Sequence, residues 1–532
     1  MKNKTREKSS THKLRPDPNS FFLAIFLGGL ILLPTLWYFI SGDQGLYAYI
    51  GWLWHTQHLP PYVGGFDQQL PGIYFLNYLI FKIFSPTVFS IRLFDYLVQI
   101  LNIALIYYFA RLISPGNNGS KAGLLGSLLY AAYYLTRGPL CTVLKDGFVL
   151  TPLLIAGFLF VNSSKKWKWI EPIGVGLMIG ISFIIKPTFG LAGLVFAVLY
   201  LIKEKKANSS WIKISAFESL LIFFSLIPFL VILGFLSYWG VIDKFKEAFI
   251  GFNKSGLADY VFTTKYWDYV AYQIFRTSPM IWFGAFLFIL LQLSRNGWRD
   301  DERNQPKILL FALFSVCGLS IFIQGKAWSY HIIPAAGFAS ILAGSGFCWL
   351  SDLLIKEVEF KLQTWVKVLL IICIVSLQIA GFQFRDIVFI KRNIFKPLAI
   401  AYSNQGPALE AAEYLKERTK PDDKIFFWGR LLQIAFISQR PSPTRHIYSF
   451  YTALGDEGSF SPIQIKWQKE MVEDLKANPP VYFVVSKAQD ELTPRFDELL
   501  PRVPGLQEFL EQNYGLETII RKDYLIYRLK KE

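Results

Sequence analysis

The chain has 532 residues, 53% of them hydrophobic and 17% aromatic but only 18% charged, with a mean hydropathy of +0.34. The apolar residues come in long blocks, which excludes an ordinary soluble domain and marks a polytopic membrane protein. The formal charge of +16 would suit a nucleic-acid partner if it formed one patch. Instead the lysines and arginines sit in short loops between apolar blocks, the distribution of cytoplasmic anchors, so no nucleic acid is expected.

Residues 1–20 form a basic, polar tail, longer than a signal-peptide n-region. The apolar run Phe21 to Ile40 is long enough to cross a bilayer and lacks a small-residue cleavage site, so it reads as a retained first span. Next come Ser41-Gly42-Asp43-Gln44 and two apolar stretches too short to span, 45–57 and 72–84, which read as interfacial helices. The turn-rich string Pro60-Pro61-Tyr62-Val63-Gly64-Gly65-Phe66-Asp67 separates them. Further spans fall near 87–110, 121–136, 148–162, 169–185, 188–203, 214–237, 279–294, 308–324, 332–350 and 367–384, about eleven in all. A third interfacial helix runs from Asp243 to Asn253, where Phe245, Ala248, Phe249 and Phe252 recur at helical spacing.

With a cytoplasmic N-terminus, the most basic short loops (Lys165–Lys168, Lys203–Lys206, Arg295–Lys307 and Lys356–Lys367) are also cytoplasmic, as the positive-inside rule requires. The expected division is a cytoplasmic tail (1–20), a transmembrane domain (21–384) and an extracytoplasmic domain (385–532). In the last, strands alternate with helices: a helix at 407–418, a strand at 424–429 ending in glycine, a helix at 463–477, a strand at 481–485, and a closing hairpin of 516–520 with 524–527. This pattern suggests a small α/β domain with its own core. Cys141, Cys317, Cys348 and Cys373 lack metal spacing, and three lie in apolar runs. His55 and His58 have a metal-like spacing but no third partner nearby, so no metal site is expected.

This layout collects polar residues at the outer face: Asp43, Arg92, Asp146, Lys186, the 240–275 loop, and Lys326 through His331. A transporter would more often hold its ionisable groups near mid-membrane, between broken helices. A cluster at one surface suits an interfacial active site. A transporter or flippase of lipid-linked saccharides, and a non-catalytic scaffold, remain the alternative readings.

The order of short motifs carries a resemblance. Asp43-x-x-x-Tyr47 follows the first span, a Pro-containing motif comes about 25 residues later, and Phe89-Ser90-Ile91-Arg92-Leu93 opens the second. Val143-Leu144-Lys145-Asp146, Ile184-Ile185-Lys186-Pro187 and Gly325-Lys326-Ala327-Trp328-Ser329-Tyr330-His331 complete the set. Together they resemble the GT-C polyprenyl-phosphate-dependent glycosyltransferases, in particular the protein mannosyltransferase and aminoarabinose transferase families. The resemblance is strongest over residues 20–200. It implies a GT-C-like helical membrane domain with interfacial helices and a small C-terminal extracytoplasmic α/β domain. It also implies an inverting enzyme that moves a sugar from a polyprenyl-phosphate donor to a lipid, glycan or protein acceptor; the loop charges put that step at the outer face of the plasma (inner) membrane, and the short tail without an evident sorting signal suits a bacterial source. Family members often carry a lysine-bearing motif in the first outer loop; here the string is Gln68-Gln69-Leu70-Pro71-Gly72, with an amide in place of the cation.

The chemistry accounts for the residue types. An acceptor hydroxyl must lose a proton, which suits a carboxylate, and a leaving phosphate must be stabilised, which suits Lys and Arg. The resemblance gives Asp43 the role of base, against a reading as helix N-cap or first-turn carboxylate. Asp146 would orient the base or the acceptor, or else cap a helix or pair with Lys145. Lys186, Lys326, Tyr330, His331 and Arg92 are the candidates for the donor phosphate. Snorkelling at a helix end is the alternative for the cations, with an ion pair to Asp95 a further option for Arg92. Gln69, Asp67 and Tyr47 are possible substrate contacts. A single displacement of this kind requires no obligatory cofactor or metal.

Overall fold

A computed structural model describes residues 18–114, 118–162, 169–252, 271, 274, 278–294, 304–325, 328–358, 406–453, 460–487 and 495–531. The first span is helix α1, Pro18–Leu32, continued by a 3-10 turn to Trp37. Helices α2 (Gly42–Thr56) and α3 (Gly72–Ile83) follow, then α4 (Val88–Ile113), α5 (Gly119–Thr136), the short α6 (Gly138–Cys141) and α7 (Lys145–Val161). Next come α8 (Ile170–Ile185), α9 (Ala192–Lys206), α10 (Trp211–Tyr238) and α11 (Ile242–Lys246), the last continued by a π-turn to Gly251. Helices α12 (Pro279–Ser294), α13 (Gln305–Ile323) and α14 (Ile333–Val358) complete the bundle. Every expected span but one falls on a helix; the exception, 367–384, lies outside the described residues, as do the 1–17 tail, Asn253 and Lys326.

By length and hydropathy, six helices among the described residues can cross a membrane: Pro18–Trp37, Val88–Ile113, Pro187–Lys206, Trp211–Tyr238, Gln305–Ile323 and Ser329–Ser351. Their surroundings differ. The apolar window of Ser329–Ser351 is 89% buried, so α14 is the central helix among the described residues, whereas that of α10 is 17% buried and lies at the outside of the bundle. Ile222, Phe223, Leu226, Leu230 and Tyr238 lie exposed along α10. The helices pack through small residues, because in lipid close backbone approach replaces the hydrophobic drive. Gly176 and Gly180 on α8 show this: a Cβ at either would lie 2.7 Å from the Leu221 carbonyl oxygen or 2.3 Å from that of Ser225, both on α10.

The C-terminal domain has the expected α/β form. Helix α15 (Gly406–Arg418) leads to strand β1 (Ile425–Trp428), then α16 (Leu432–Ser438), α17 (Phe450–Ala453) and α18 (Pro462–Ala477). Strand β2 (Tyr482–Ser486), helix α19 (Leu506–Asn513) and strands β3 (Tyr514–Ile520) and β4 (Tyr524–Leu529) complete it. The sheet order is β1-β2-β4-β3, with β1 and β2 parallel and the other pairs antiparallel. Its core holds Phe426, Trp428, Met471, Phe483 and Val485.

This domain sits on α2, and that placement shapes the site. Gln44 to Trp54 of α2 are all buried, so the helix is enclosed by α3 and α16. Gly45 makes the approach possible, since a Cβ there would lie 2.4 Å from the backbone nitrogen of Gln433. Tyr49 donates to the Arg440 carbonyl (2.7 Å), Gln439 to the Pro86 carbonyl (2.8 Å), and the Phe66 amide to the Arg445 carbonyl (2.7 Å). Farther out, Arg445 is gripped by Glu470 of α18 (2.6 Å) and by Glu247 beside α11 (2.8 Å). Burial alone would raise both glutamates. For Glu247 the Arg445 guanidinium outweighs it, and for Glu470 His446 and Arg445 do, so both lie below the usual carboxylate range.

Candidate active site

Four helix ends and two loops meet at one end of the bundle, under the C-terminal domain. Asp43 stands in the first turn of α2, but it is not the cap. Ser41 is the N-cap residue, and its amide donates to the Gln44 side chain (2.9 Å), one arm of a capping box. That frees the Asp43 carboxylate, which is 32% exposed and lies 3.8 Å from the Arg430 guanidinium. Arg430 arrives because β1 ends at Gly429, whose φ of +129° a side-chain-bearing residue rarely adopts; a Cβ there would also meet Ser486 at 2.7 Å. The chain therefore turns sharply out of the sheet toward α2.

Asp146 occupies the first turn of α7, whose N-cap position is Leu144, so it is no cap either. It is fully buried and pairs with Lys186 at 2.6 Å, not with the adjacent Lys145. Its other oxygen, Oδ2, has no hydrogen-bond partner among the described residues. Lys186 follows the end of α8. Burial pulls its ammonium below the ordinary lysine value, and the Asp146 carboxylate opposes that shift.

Lys145 turns the other way. It is buried, its ammonium donates to the Gln69 side-chain oxygen, and it lies 5.5 Å from the centre of the Tyr47 ring. Among the described residues it has no carboxylate within ion-pair distance, so a buried cation rests on a neutral amide and an aromatic face. The amide noted in the first outer loop thus carries a lysine from another helix. The sequence offers a pair with Asp146 as one alternative for this lysine; its spacing on α7 gives no signal of Gln69.

Tyr330 and His331 lie just before α14, with rings 4.6 Å apart. Tyr330 is half-buried and His331 buried. Ser329 contacts Cys141 at 2.9 Å, joining this turn to α6.

Two expected contacts are corrected. Arg92 neither snorkels nor pairs with Asp95 within ion-pair distance; its guanidinium is bonded within the protein. Its Nε donates to the Tyr38 carbonyl (3.1 Å), Nη1 to Thr142 Oγ1 (2.8 Å), and Nη2 to Gln44 Oε1 (3.0 Å) and the Phe39 carbonyl. Gln44 in turn donates to the carbonyls of Pro139 (2.7 Å) and Thr142. Arg92 and Gln44 therefore tie the N-terminus of α2 to the segment leading into α7, fixing Asp43 relative to Asp146. Asp67, offered as a substrate contact, is 1% exposed. It accepts from Tyr74 (2.6 Å), Tyr451 (2.6 Å) and the Gln68 amide (2.8 Å). Burial raises its carboxyl above the usual range, and those donors only partly offset it. Asp67 is an anchor joining α3, the first loop and the C-terminal domain. Gln69 and Tyr47 stand close to the site through Lys145, and Lys326 lies outside the described residues. His55 packs edge-on to Tyr78 (5.9 Å) at the far end of α2. Among the described residues no group of three or more His, Cys, Asp or Glu side chains could hold a metal ion.

A separate cleft of about 560 Å³ opens between the first loop and the C-terminal domain, lined by Leu59, Val63, Lys244, Asp422, Lys424 and Asp474, among others. Asp43, Lys145, Asp146 and Lys186 do not line it.

This arrangement can be set beside known proteins. The structure is similar to that of ArnT from Cupriavidus metallidurans bound to undecaprenyl phosphate, with a TM-score of 0.61 and 14% identity, covering 96% of this chain and 98% of that one. The fold is that of the GT-C glycosyltransferases. The apo state of the same ArnT gives a TM-score of 0.58 at 14% identity, covering 96% of this chain and 98% of that one. The apo oligosaccharyltransferase of Archaeoglobus fulgidus gives 0.50 at 12% identity, covering 88% of this chain and 69% of that one. In sequence, the family of dolichyl-phosphate-mannose-protein mannosyltransferases matches residues 68–235. No curated protein sequence matches. The GT-C resemblance read from the motifs is thereby borne out, as is the fold class: a polytopic helical membrane protein with a small C-terminal α/β domain.

Proposed function

We propose that the protein is a membrane glycosyltransferase. It moves a sugar from a polyprenyl-phosphate donor to an acceptor hydroxyl at the extracytoplasmic face of a bacterial plasma membrane, inverting the anomeric carbon. In the step, the acceptor oxygen attacks the anomeric carbon as the bond to the phosphate oxygen breaks. The bonding pair leaves with the polyprenyl phosphate, and the acceptor proton passes to Asp43. Lys145 and Lys186 receive the developing phosphate charge, aided by Tyr330 and His331. Asp146 holds Lys186, and Gln69 with Tyr47 holds Lys145. Buried cations stabilise such a charge more strongly than they would in water. Arg430 keeps Asp43 facing the site from the side of the C-terminal domain. No step requires a metal.

One observation carries this reading: a partly exposed carboxylate, Asp43, stands at the same bundle end as a buried lysine, Lys145, whose contacts are a neutral amide and an aromatic ring. A base and a buried cation with no carboxylate in ion-pair contact among the described residues are the two groups this transfer needs. The matches to the mannosyltransferase family and to ArnT support the donor class.

The test uses purified protein, radiolabelled polyprenyl-phosphate sugars and membrane acceptors. Asp43→Asn should lower kcat by about 10²–10⁴-fold, the usual range for loss of a general base, while donor binding is retained. Full transfer activity in that variant would remove Asp43 from the mechanism. Failure of the wild-type protein to transfer label from any such donor would remove the proposed function itself.

A further inference from the structure

The two charged residues of the site on α7 follow a backbone turn with an unusual conformation. Val143 has φ of +60°, the left-handed region in which a β-branched residue is a genuine outlier. Such a turn persists only when its surroundings hold it. On one side, Thr142 is gripped by Arg92 and Gln44. On the other, the Val143 amide donates to the Tyr134 hydroxyl (3.2 Å). Tyr134, fully buried on α5, in turn donates to Oδ1 of Asp95 (2.8 Å), which also accepts from Gln99 (3.0 Å).

Asp95 is a carboxylate inside a membrane span, 0% exposed, and its Oδ2 has no hydrogen-bond partner among the described residues. An ionisable group there is expensive, which makes it a functional candidate. Two details tie it to the site. Gly147, next to Asp146, leaves room for the tyrosine: a Cβ there would lie 3.2 Å from the Tyr134 hydroxyl. Gln99 continues the string inward, accepting from Tyr130 (2.7 Å) and Asn102 (2.9 Å), so Asp95 is locked and cannot swing away.

We infer that Asp95 is a positioning residue which, through the Tyr134 hydroxyl, holds the left-handed turn at Val143 that aims Lys145 and Asp146 into the site. The inference rests on the reading of those two residues as part of the transfer site. Asp95 acts through geometry and not through a proton. What Tyr134 requires is an acceptor oxygen at the Asp95 position, and what α7 requires is a fixed entry angle. Small misplacement of groups that meet a transition state is costly, on the order of 100-fold for about 1 Å.

The experiment compares kcat and donor KM, together with amide exchange in the peptide containing Val143, across three variants. Tyr134→Phe keeps the ring and removes the hydroxyl. It should lower kcat by about 10–100-fold, raise KM less, and speed exchange at Val143. Adding Val143→Gly to it should restore part of kcat, because glycine adopts the left-handed turn without a strap. Asp95→Asn keeps the acceptor oxygen and should lose less kcat than Tyr134→Phe. The inference is overturned if Tyr134→Phe leaves kcat and exchange unchanged, if the glycine gives no recovery, or if Asp95→Asn is as damaged as Tyr134→Phe, since the last would make charge the requirement. If the wild-type protein transfers no sugar, the proposed function fails. The exchange comparison then decides the strap by itself: faster exchange in Tyr134→Phe supports it, and unchanged exchange overturns it.

Discussion

Replacing Lys186 with methionine removes one partner of a buried ion pair and leaves the other stranded. The ammonium lies 2.6 Å from Asp146, with the lysine side chain 8% exposed and the aspartate 0%. At an effective dielectric of about 20, Coulomb attraction at that separation is about 6 kcal/mol. Desolvation of both groups cancels part of it, so an observed loss of about 3–5 kcal/mol is expected on breaking the pair. Much of that is the penalty of an uncompensated carboxylate, and Asp146 is badly placed to bear it because its Oδ2 already lacks a partner among the described residues. Lys186→Met/Asp146→Asn should therefore recover most of the stability, while neither variant regains transfer. The assay is unfolding in mixed micelles for the wild type, both single variants and the double, read as a double-mutant cycle. A coupling of about 2 kcal/mol or more supports the pair. Single effects that add to within about 0.5 kcal/mol would refute the reasoning, since two charges in contact in a dry site cannot be independent.

Lys145→Met should weaken binding of a polyprenyl phosphate by roughly 10–150-fold, the worth of one hydrogen bond to a charged group at about 1.5–3 kcal/mol; an unchanged Kd would take Lys145 out of the donor site. Gly45→Ala should loosen the C-terminal domain, because the new methyl meets the Gln433 backbone. A loss of about 1–3 kcal/mol and faster amide exchange in α16 are expected, with Gly234→Ala, which meets nothing within 4 Å, as the control. Equal effects from the two would rule out the close approach. Finally, Glu247 and Glu470 are held below their ordinary values, so the unfolded chain binds protons more readily than the folded one. Their contribution is then complete above about pH 4.3 and lost as the pH falls below it toward the folded values. Protection of α18 from proteolysis should drop between neutral pH and pH ~3.5, and Glu470→Gln should flatten that dependence. A pH-independent digestion pattern would count against the clamp.

Much of the site was legible because it lies at helix ends. A span ends where apolar residues run out, and Asp43, Asp146 and Lys186 sit at such breaks with Tyr330 and His331 just before another, so hydropathy alone brought them to one surface. Arg92 was placed correctly by the same logic but given the wrong work. The pattern shows an arginine at the start of an apolar run, whereas five backbone and side-chain acceptors from two distant segments engage it. The partners of Asp67 were hidden for a similar reason. A turn-rich string suggests exposure, yet Tyr451, 384 positions away, closes over it.

The membrane class, the succession of spans, the α/β character of the C-terminal domain and the collection of carboxylates and cations at one end of the bundle can all be read along the chain. These follow from hydrophobic length, periodicity and loop charge, all local properties of the chain. Which charge meets which emerges in the folded molecule: Lys145 on Gln69, Lys186 on Asp146, Arg430 near Asp43, and Asp95 behind Tyr134. Each of those pairings joins segments far apart in the chain. Partner choice there is set by how helices cross and by what a buried charge can reach, and neither is written in the spacing of residues along one strand of text.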